Sequence, residues 1–181
     1  MTGNMISDYV KGKQKFDYPE QIQKGIALHR MIDRFTDDHP ATKEAKQVFR
    51  PVYRLYSGAF VDVVYDHFLA IDENEFTDTS LLGFSKEVYG ILDEHEQWLP
   101  EKFAYMFPYM KQHNWLYHYR FMEGASKSLG GVVRRSAYLT ESESAVKIFG
   151  QHYQLLQDAY RHFWADMKNF ALHQFETMQH S

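Results

Sequence analysis

The sequence predicts an all-α fold, a single-domain bundle of about seven helices, on three observations. Apolar residues recur at helical spacing along most of the chain, β-branched residues are sparse, and strict alternation of apolar and polar positions is nearly absent. A sheet has little to be built from, although a small hairpin stays open as an alternative. At 181 residues the chain fits one domain, because single cores usually span roughly 100–200 residues. No internal repeat, low-complexity stretch or Gly/Ser linker marks a place to divide it.

Thr2-Gly3-Asn4 leads into a short helix reaching about Val10, and Gly12 between Lys11 and Lys13 ends it. Pro19 opens the next helix, in which Ile22, Ile26, His29 and Asp33 share one face, and Pro40 stops it. A third begins at Thr42 and runs through Ala45, Val48 and Phe49 towards Tyr56, with a kink expected at Pro51 and a break at Ser57-Gly58. Phe60, Val63, Val64, His67 and Phe68 resume the period, and DENEFTDTS forms a polar turn. Thr79-Ser80 starts a helix through Phe84, Val88 and Leu92, in a region closed by Leu99-Pro100. Segments 101–112, 113–126 and 141–178 continue at the same spacing, the last with Val146, Phe149, Tyr153, Leu156, Tyr160, Phe163 and Met167. The high aromatic share, 17%, is explained by rings buried between helices.

Composition excludes several functions. With 44% hydrophobic and 24% charged residues the chain is an ordinary globule rather than a disordered one. A net charge of −4 argues against wholesale binding of nucleic acid or an anionic membrane. The charge is uneven: residues 1–60 hold ten Lys/Arg against seven Asp/Glu, leaving ten against seventeen in the remainder. An acidic partner therefore finds its best surface in the first third. The absence of cysteine removes a disulfide framework, a thiolate zinc site and a Cys nucleophile together. No apolar run approaches the ~20 residues of a membrane span, since residues 60–71 are interrupted by Asp62, Asp66 and His67. MTGNMISDYVKGK lacks the pattern of a signal peptide, so the expectation is a soluble cytoplasmic protein with no membrane partner.

Three stretches place carboxylates and imidazoles where a core-facing stripe should be apolar. In GIALHRMIDRFTDDHP, His29 and Asp33 are four apart and project side by side, with Asp37 four further on. In SGAFVDVVYDHFLAID, Asp62 and Asp66 repeat the spacing among apolar neighbours, where an isolated carboxylate is costly unless a metal ion or an arginine partners it. In GNMISDYVKG, Asn4 and Asp8 do so again. One such pair is common in any helix; three together point to a shared cation site. The plainer alternatives are a buried hydrogen-bonded pair for His29 and Asp33, and helix-end acids for Asp8, Asp37 and Asp38. Arg134-Arg135, after Gly130-Gly131, are phosphate-binding candidates or a solvated charge pair. His95, His113, His118, His152, His162, His173 and His180 lack a partner pattern and read as surface or packing residues. Gly-rich phosphate loops, a GxSxG elbow and HExxH are missing.

The ordered set GNMISDYVKG, IQKGIALHRMIDRFTDDHP, AKQVFRP and FVDVVYDHFLA, followed more loosely by YRFMEGASKSLGGVVRR, resembles the acyl carrier protein phosphodiesterase family over most of residues 3–135. The resemblance implies an HD-domain-like helical fold, a divalent metal (Mn2+ or Mg2+), and hydrolysis of the phosphodiester joining phosphopantetheine to a serine of holo-acyl carrier protein. The products would be apo-carrier and 4′-phosphopantetheine. Carried over by motif are Asp8, His29, Asp33, Asp37, Asp62, Asp66 and His67; of these Asp8, His29, Asp33, Asp62 and Asp66 are the expected metal ligands and His67 and Asp37 expected catalytic groups. Arg30 joins the catalytic candidates, and Arg134 and Arg135 the phosphate-binding ones, as cations that would neutralise charge on the phosphate oxygens. Lys11, Lys13, Lys24 and Arg34 are expected to meet the acidic carrier. This sequence has Asp66-His67 in place of an HD dipeptide, so the usual HD ligand order does not transfer. Family members generally carry a stretch like NFLAH before GN, whereas this chain begins Met1-Thr2-Gly3-Asn4, and the resemblance implies that a short upstream segment is missing. Two other readings remain: a metal phosphohydrolase for nucleotides or other small phosphoesters, and a non-catalytic helical module that binds the carrier.

Overall fold

A computed structural model describes residues 1–179 of the protein. Helices account for the fold, and there is no strand among the described residues. In chain order they are α1 (Thr2–Ile6), α2 (Glu20–Asp38), α3 (Pro40–Tyr53), α4 (Ser57–Ile71) and α5 (Asp78–Glu94). After them come α6 (Glu101–Gln112), α7 (Trp115–His118), α8 (Met122–Arg135), α9 (Glu143–Gln151) and α10 (Tyr153–Gln179). Four 3-10 turns, Ser7–Tyr9, Gly12–Asp17, Arg54–Tyr56 and Glu96–Trp98, sit between them.

The all-α expectation holds, but the described residues form ten α-helices rather than about seven. Segment 113–126 is not one helix. Asn114 adopts a left-handed conformation (φ 41°) and its side chain accepts a hydrogen bond from the Tyr117 amide, which starts the single turn of α7. The chain then turns before α8, which runs on to Arg135. Segment 141–178 breaks at His152 into α9 and α10. The expected kink at Pro51 is instead a helix end: Pro51 lies in the last turn of α3, and Arg54 follows with φ 47°. The start of α3 moves up to Pro40, which occupies the first turn, while His39 Nδ1 accepts from the Ala41 amide at 3.2 Å. Gly12 opens a further 3-10 turn rather than ending the structure there.

Two apolar cores organise these elements. The larger is built by α3, α4, α8, α9 and α10, with Phe49, Phe60, Phe68, Leu129, Phe149, Leu156 and Phe163 buried in it. The smaller joins Ile6, Val10, Ile22 and Ile26 to Val88, Leu92, Phe103 and Phe107. Fully burying one such side chain contributes about 1.5–3 kcal/mol. The helix α2 serves both cores: Ile22 and Ile26 enter the smaller, and Ile32 and Phe35 pack on the larger.

The short α1 is pressed directly onto α2. A Cβ at Gly3 would lie 2.0 Å from the Ile22 carbonyl oxygen, and one at Gly25 3.0 Å from the Gly3 Cα. Only glycine allows the two backbones to touch here. The consequence is functional, because this crossing brings Asn4 and the turn bearing Asp8 against the polar end of the α2 stripe.

Candidate functional site

His29 stands at that junction. Its Nδ1 is 3.0 Å from Asn4 Oδ1, and its Nε2 is 3.2 Å from Asp8 Oδ1 and 3.2 Å from Asp33 Oδ2. Burial alone would lower the His29 pKa, but hydrogen bonds and charge from Asp33 and Asp8 outweigh it and raise it to about 9. The imidazolium thus donates from Nε2 to both carboxylates and from Nδ1 to Asn4. In return, the hydrogen bond from His29 lowers the Asp8 pKa, burial opposes this, and the positive charge of Arg135 adds to the lowering. One donor atom each from Asp8, His29 and Asp33 lies within 4.8 Å of the others. Bonds of about 2.0–2.6 Å to one cation span such a triangle.

These three groups open into a cleft of about 490 Å³. Asp37 continues its rim along α2, Asp62, Tyr65 and Asp66 enter from α4, and α10 supplies Tyr160, Phe163, Trp164 and Met167. The four-residue spacing of Asp62 and Asp66 turns both towards the cleft while Val61, Val64 and Phe68 fill the core behind them. Both carboxylates reach water, yet the surrounding protein crowds them. That crowding pushes Asp62 up to about 7, with further upward pressure from Asp66, Asp33 and Asp37 against a lowering by Lys46. The same crowding pushes Asp66 up to about 7, against a lowering influence of Tyr119. Because water reaches them, the energetic cost of these groups is less than full burial would exact. Asp37 is held by Lys46 at 2.6 Å.

The structure therefore gathers Asp8, His29, Asp33, Asp37, Asp62 and Asp66 along one cleft. His67 is not among the groups that line it. It is 2% exposed, its Nδ1 lies 2.7 Å from the Tyr119 carbonyl oxygen and its Nε2 3.0 Å from the Tyr153 hydroxyl. Burial lowers its pKa, and the bond to Tyr119 only partly offsets this. Neutral His67 donates to the carbonyl and accepts from the hydroxyl, so both ring nitrogens are occupied. Of the two neighbours on α4, His67 holds the Tyr119 carbonyl, while burial, and with it the charge of Asp66, raises the pKa of the Tyr119 hydroxyl.

Arg30 points elsewhere too, donating from Nη2 to the Val10 carbonyl at 2.6 Å and bracing the segment that carries Asp8. Arg134 and Arg135 are exposed at the end of α8, and the charge of Arg135 helps to lower the Asp8 pKa. Lys11 and Lys13 are exposed at the start of the second 3-10 turn, Lys11 as its capping residue, Lys24 pairs with Glu20 at 3.1 Å, and Arg34 borders a separate groove with Met31, Phe35 and Phe170. The packing reading suits His95, which approaches the Ile91 carbonyl at 2.8 Å, while His113, His152, His162 and His173 are exposed; His180 lies outside the described residues. Sequence reasoning missed Tyr119 and the α10 side of the cleft. The spacing of Tyr160, Phe163, Trp164 and Met167 was visible, but it is the spacing of any packing stripe. No helix among the described residues is long and apolar enough to cross a membrane.

Fold and site together define a class: a helical protein whose cleft holds carboxylates and an imidazole at cation-ligating separations. The family model described as acyl carrier protein phosphodiesterase matches residues 1–167, and the chain belongs to this family of phosphodiesterases. An acyl carrier protein phosphodiesterase from Yersinia pestis is 30% identical over 174 residues, covering 96% of this chain and 90% of the relative. Its counterpart from Klebsiella pneumoniae is 30% identical over 176 residues, 94% and 89% of the two chains. That from Photorhabdus laumondii is 29% identical over 154 residues, 84% and 78%. No solved structure matches significantly.

Proposed function

We propose that the chain hydrolyses the phosphodiester between 4′-phosphopantetheine and a serine of holo-acyl carrier protein, with a divalent metal as cofactor. The observation that carries this reading is the convergence of Asp8, His29 and Asp33 within 4.8 Å, beside Asp62 and Asp66 in one cleft. Membership of the phosphodiesterase family supports the reaction type.

The donor set fits a hard or borderline cation. Two carboxylates and one imidazole suit Mn2+ or Mg2+, and no thiolate is available in a chain without cysteine. Asp8, His29 and Asp33 would hold the ion, with Asp62 or Asp66 available to complete the set or to hold a second. When bound, it supplies neutralisation of the non-bridging phosphate oxygens and acidification of water. His29 must release its Nε2 proton to serve as a ligand, which couples cation affinity to pH. Asn4 keeps the other ring proton on Nδ1 and so fixes which nitrogen faces the cleft.

Water attacks phosphorus and the serine oxygen leaves, needing a proton. Asp66, pushed up to about 7 and lining the cleft, is suited to take a proton from water or to give one to serine near neutral pH. Arg135, whose charge reaches Asp8, is the better placed of the two arginines for the phosphate. Arg30 and His67 act as braces, of the Asp8 segment and of Tyr119 respectively. Lys11, Lys13, Lys24 and Arg34 offer the positive surface for an acidic carrier.

Mass spectrometry of holo-carrier after incubation with the protein tests the reading. Loss of phosphopantetheine with Mn2+, arrest by a chelator and recovery on adding Mn2+ are expected. Full activity in chelator overturns the metal role. Nucleotides cleaved while holo-carrier stays intact overturn the substrate, and stoichiometric carrier binding without release overturns catalysis.

A further inference from the structure

We propose that the α10 side of the cleft is the binding site for the uncharged pantetheine arm, with Trp164 its principal contact; this rests on the reading of holo-carrier as substrate. Tyr160, Phe163, Trp164 and Met167 fall on one face of α10 and line the cleft; Tyr160, Phe163 and Met167 are core residues that form its floor, and the half-buried Trp164, with Leu69 of α4, is the part a ligand reaches. Their side-chain N–H and O–H groups are not free at the surface. The Tyr160 hydroxyl donates to Asp72 Oδ2 at 3.0 Å, and the Trp164 Nε1 is buried without a hydrogen-bond partner among the described residues. The side chains that α10 brings to the cleft are therefore predominantly apolar.

The surface is fixed in place. Tyr160 and Trp164 stack with ring centroids 6.0 Å apart, and Phe163 stacks on Tyr65 at 4.8 Å. Lys168 pins the same helix to Glu75 at 2.7 and 2.9 Å. Such a preformed wall binds without the entropic cost of ordering it.

Charge selects the occupant. Asp8, Asp33, Asp37, Asp62 and Asp66 make the other lining of the cleft acidic, whereas α10 contributes no charged side chain to it. An acidic carrier surface is repelled from such a cleft and stays at its mouth. The anionic phosphate would be drawn to a cation held by Asp8, His29 and Asp33 rather than to the carboxylates themselves, so the part of the substrate left to fill the cleft is the neutral arm. Its gem-dimethyl group and methylenes suit an apolar wall, and a cleft of about 490 Å³ is of the size that takes a small organic ligand, roughly 300–1,000 Å³.

The test uses S-methyl pantetheine, whose capped thiol cannot ligate a metal, as a competitor of holo-carrier hydrolysis, with adenosine alongside. Competitive inhibition by S-methyl pantetheine, weak inhibition by adenosine, and a rise of about tenfold in KM for Trp164→Ala with recovery in Trp164→Phe are expected. Circular dichroism confirms that each variant is folded; if Trp164→Ala does not fold, inhibition of the unaltered protein decides. Cleavage of holo-carrier without inhibition, stronger inhibition by adenosine, or an unchanged KM in folded Trp164→Ala overturns the arm site and leaves the substrate reading standing. No cleavage of holo-carrier at all overturns both.

Discussion

Replacing Gly3 with alanine separates the geometry of the donor group from its chemistry, because no ligand is touched. The new Cβ would stand 2.0 Å from the Ile22 carbonyl oxygen, about 1.4 Å inside the 3.4 Å at which ordinary contact begins. The obstacle is helix backbone, so α1 must move as a whole rather than let a side chain turn aside. Asn4 is the next residue, and a shift on the order of 1 Å takes its Oδ1 from 3.0 Å to beyond hydrogen-bonding distance of His29 Nδ1. Overpacking of this kind costs about 1–3 kcal/mol. For a chain of 181 residues each kcal/mol lowers Tm by roughly 2–4 °C. Misplacement by about 1 Å of groups that position a reaction lowers turnover by ~10²-fold. Gly25→Ala is the graded comparison: its Cβ would lie 3.0 Å from the Gly3 Cα, a deficit of about 0.4 Å, so both effects should be smaller. Thermal melting and phosphopantetheine release in Mn2+ are the two readouts. Gly3→Ala with undiminished turnover and an unchanged Tm refutes the reasoning, and a lowered Tm with undiminished turnover confines the crossing to a role in stability.

Protein kept in chelator should lose stability as pH rises. His29 is raised from 6.5 to about 9, so its contribution is complete below 6.5 and vanishes as pH passes 9, a loss on the order of 3 kcal/mol. Asp62 and Asp66, raised to about 7, act in the same direction between pH 4 and 7, because each ionises less readily in the folded chain. A Tm that stays level between pH 6.5 and 9 would contradict this. His67→Ala, which leaves the Tyr119 carbonyl and Tyr153 hydroxyl without their partner, should cost about 2–4 kcal/mol in thermal melts. Abolished turnover at an unaltered Tm would instead assign His67 to the chemistry. Lys13→Glu combined with Arg34→Glu should raise KM for holo-carrier several-fold and flatten its salt dependence, as seen in initial rates across ionic strength; Lys24→Glu should do less, since Glu20 already neutralises Lys24.

Helical periodicity made the fold class legible, and the four-residue spacings of His29–Asp33 and Asp62–Asp66 made most of the cleft legible with it. Both signals survive because they are local: helix geometry alone places such pairs on one face. Helix ends were harder. Asn114 and His152 break amphipathic stretches whose apolar period continues on either side, so each break rests on one residue's conformation. The Asp66-His67 pair misled for a related reason, since adjacent helical residues diverge by about 100°, turning one towards the cleft and the other into the core. Arg30 offered no signal at all, because its partner is a backbone carbonyl twenty positions away. Tyr160, Phe163 and Met167 are packing residues as their spacing suggests, and only the position of the half-buried Trp164 across from the carboxylates marks this stripe as part of the cleft.

Because α2 threads both apolar cores, His29 sits at their seam. Asp8 rides on a turn anchored between Ile6 and Val10 of one core, while Asp62 and Asp66 ride on a helix rooted in the other. A ligand gripped from both sides acts as a rivet, so that its departure loosens the joint between the two halves as well as emptying the cleft.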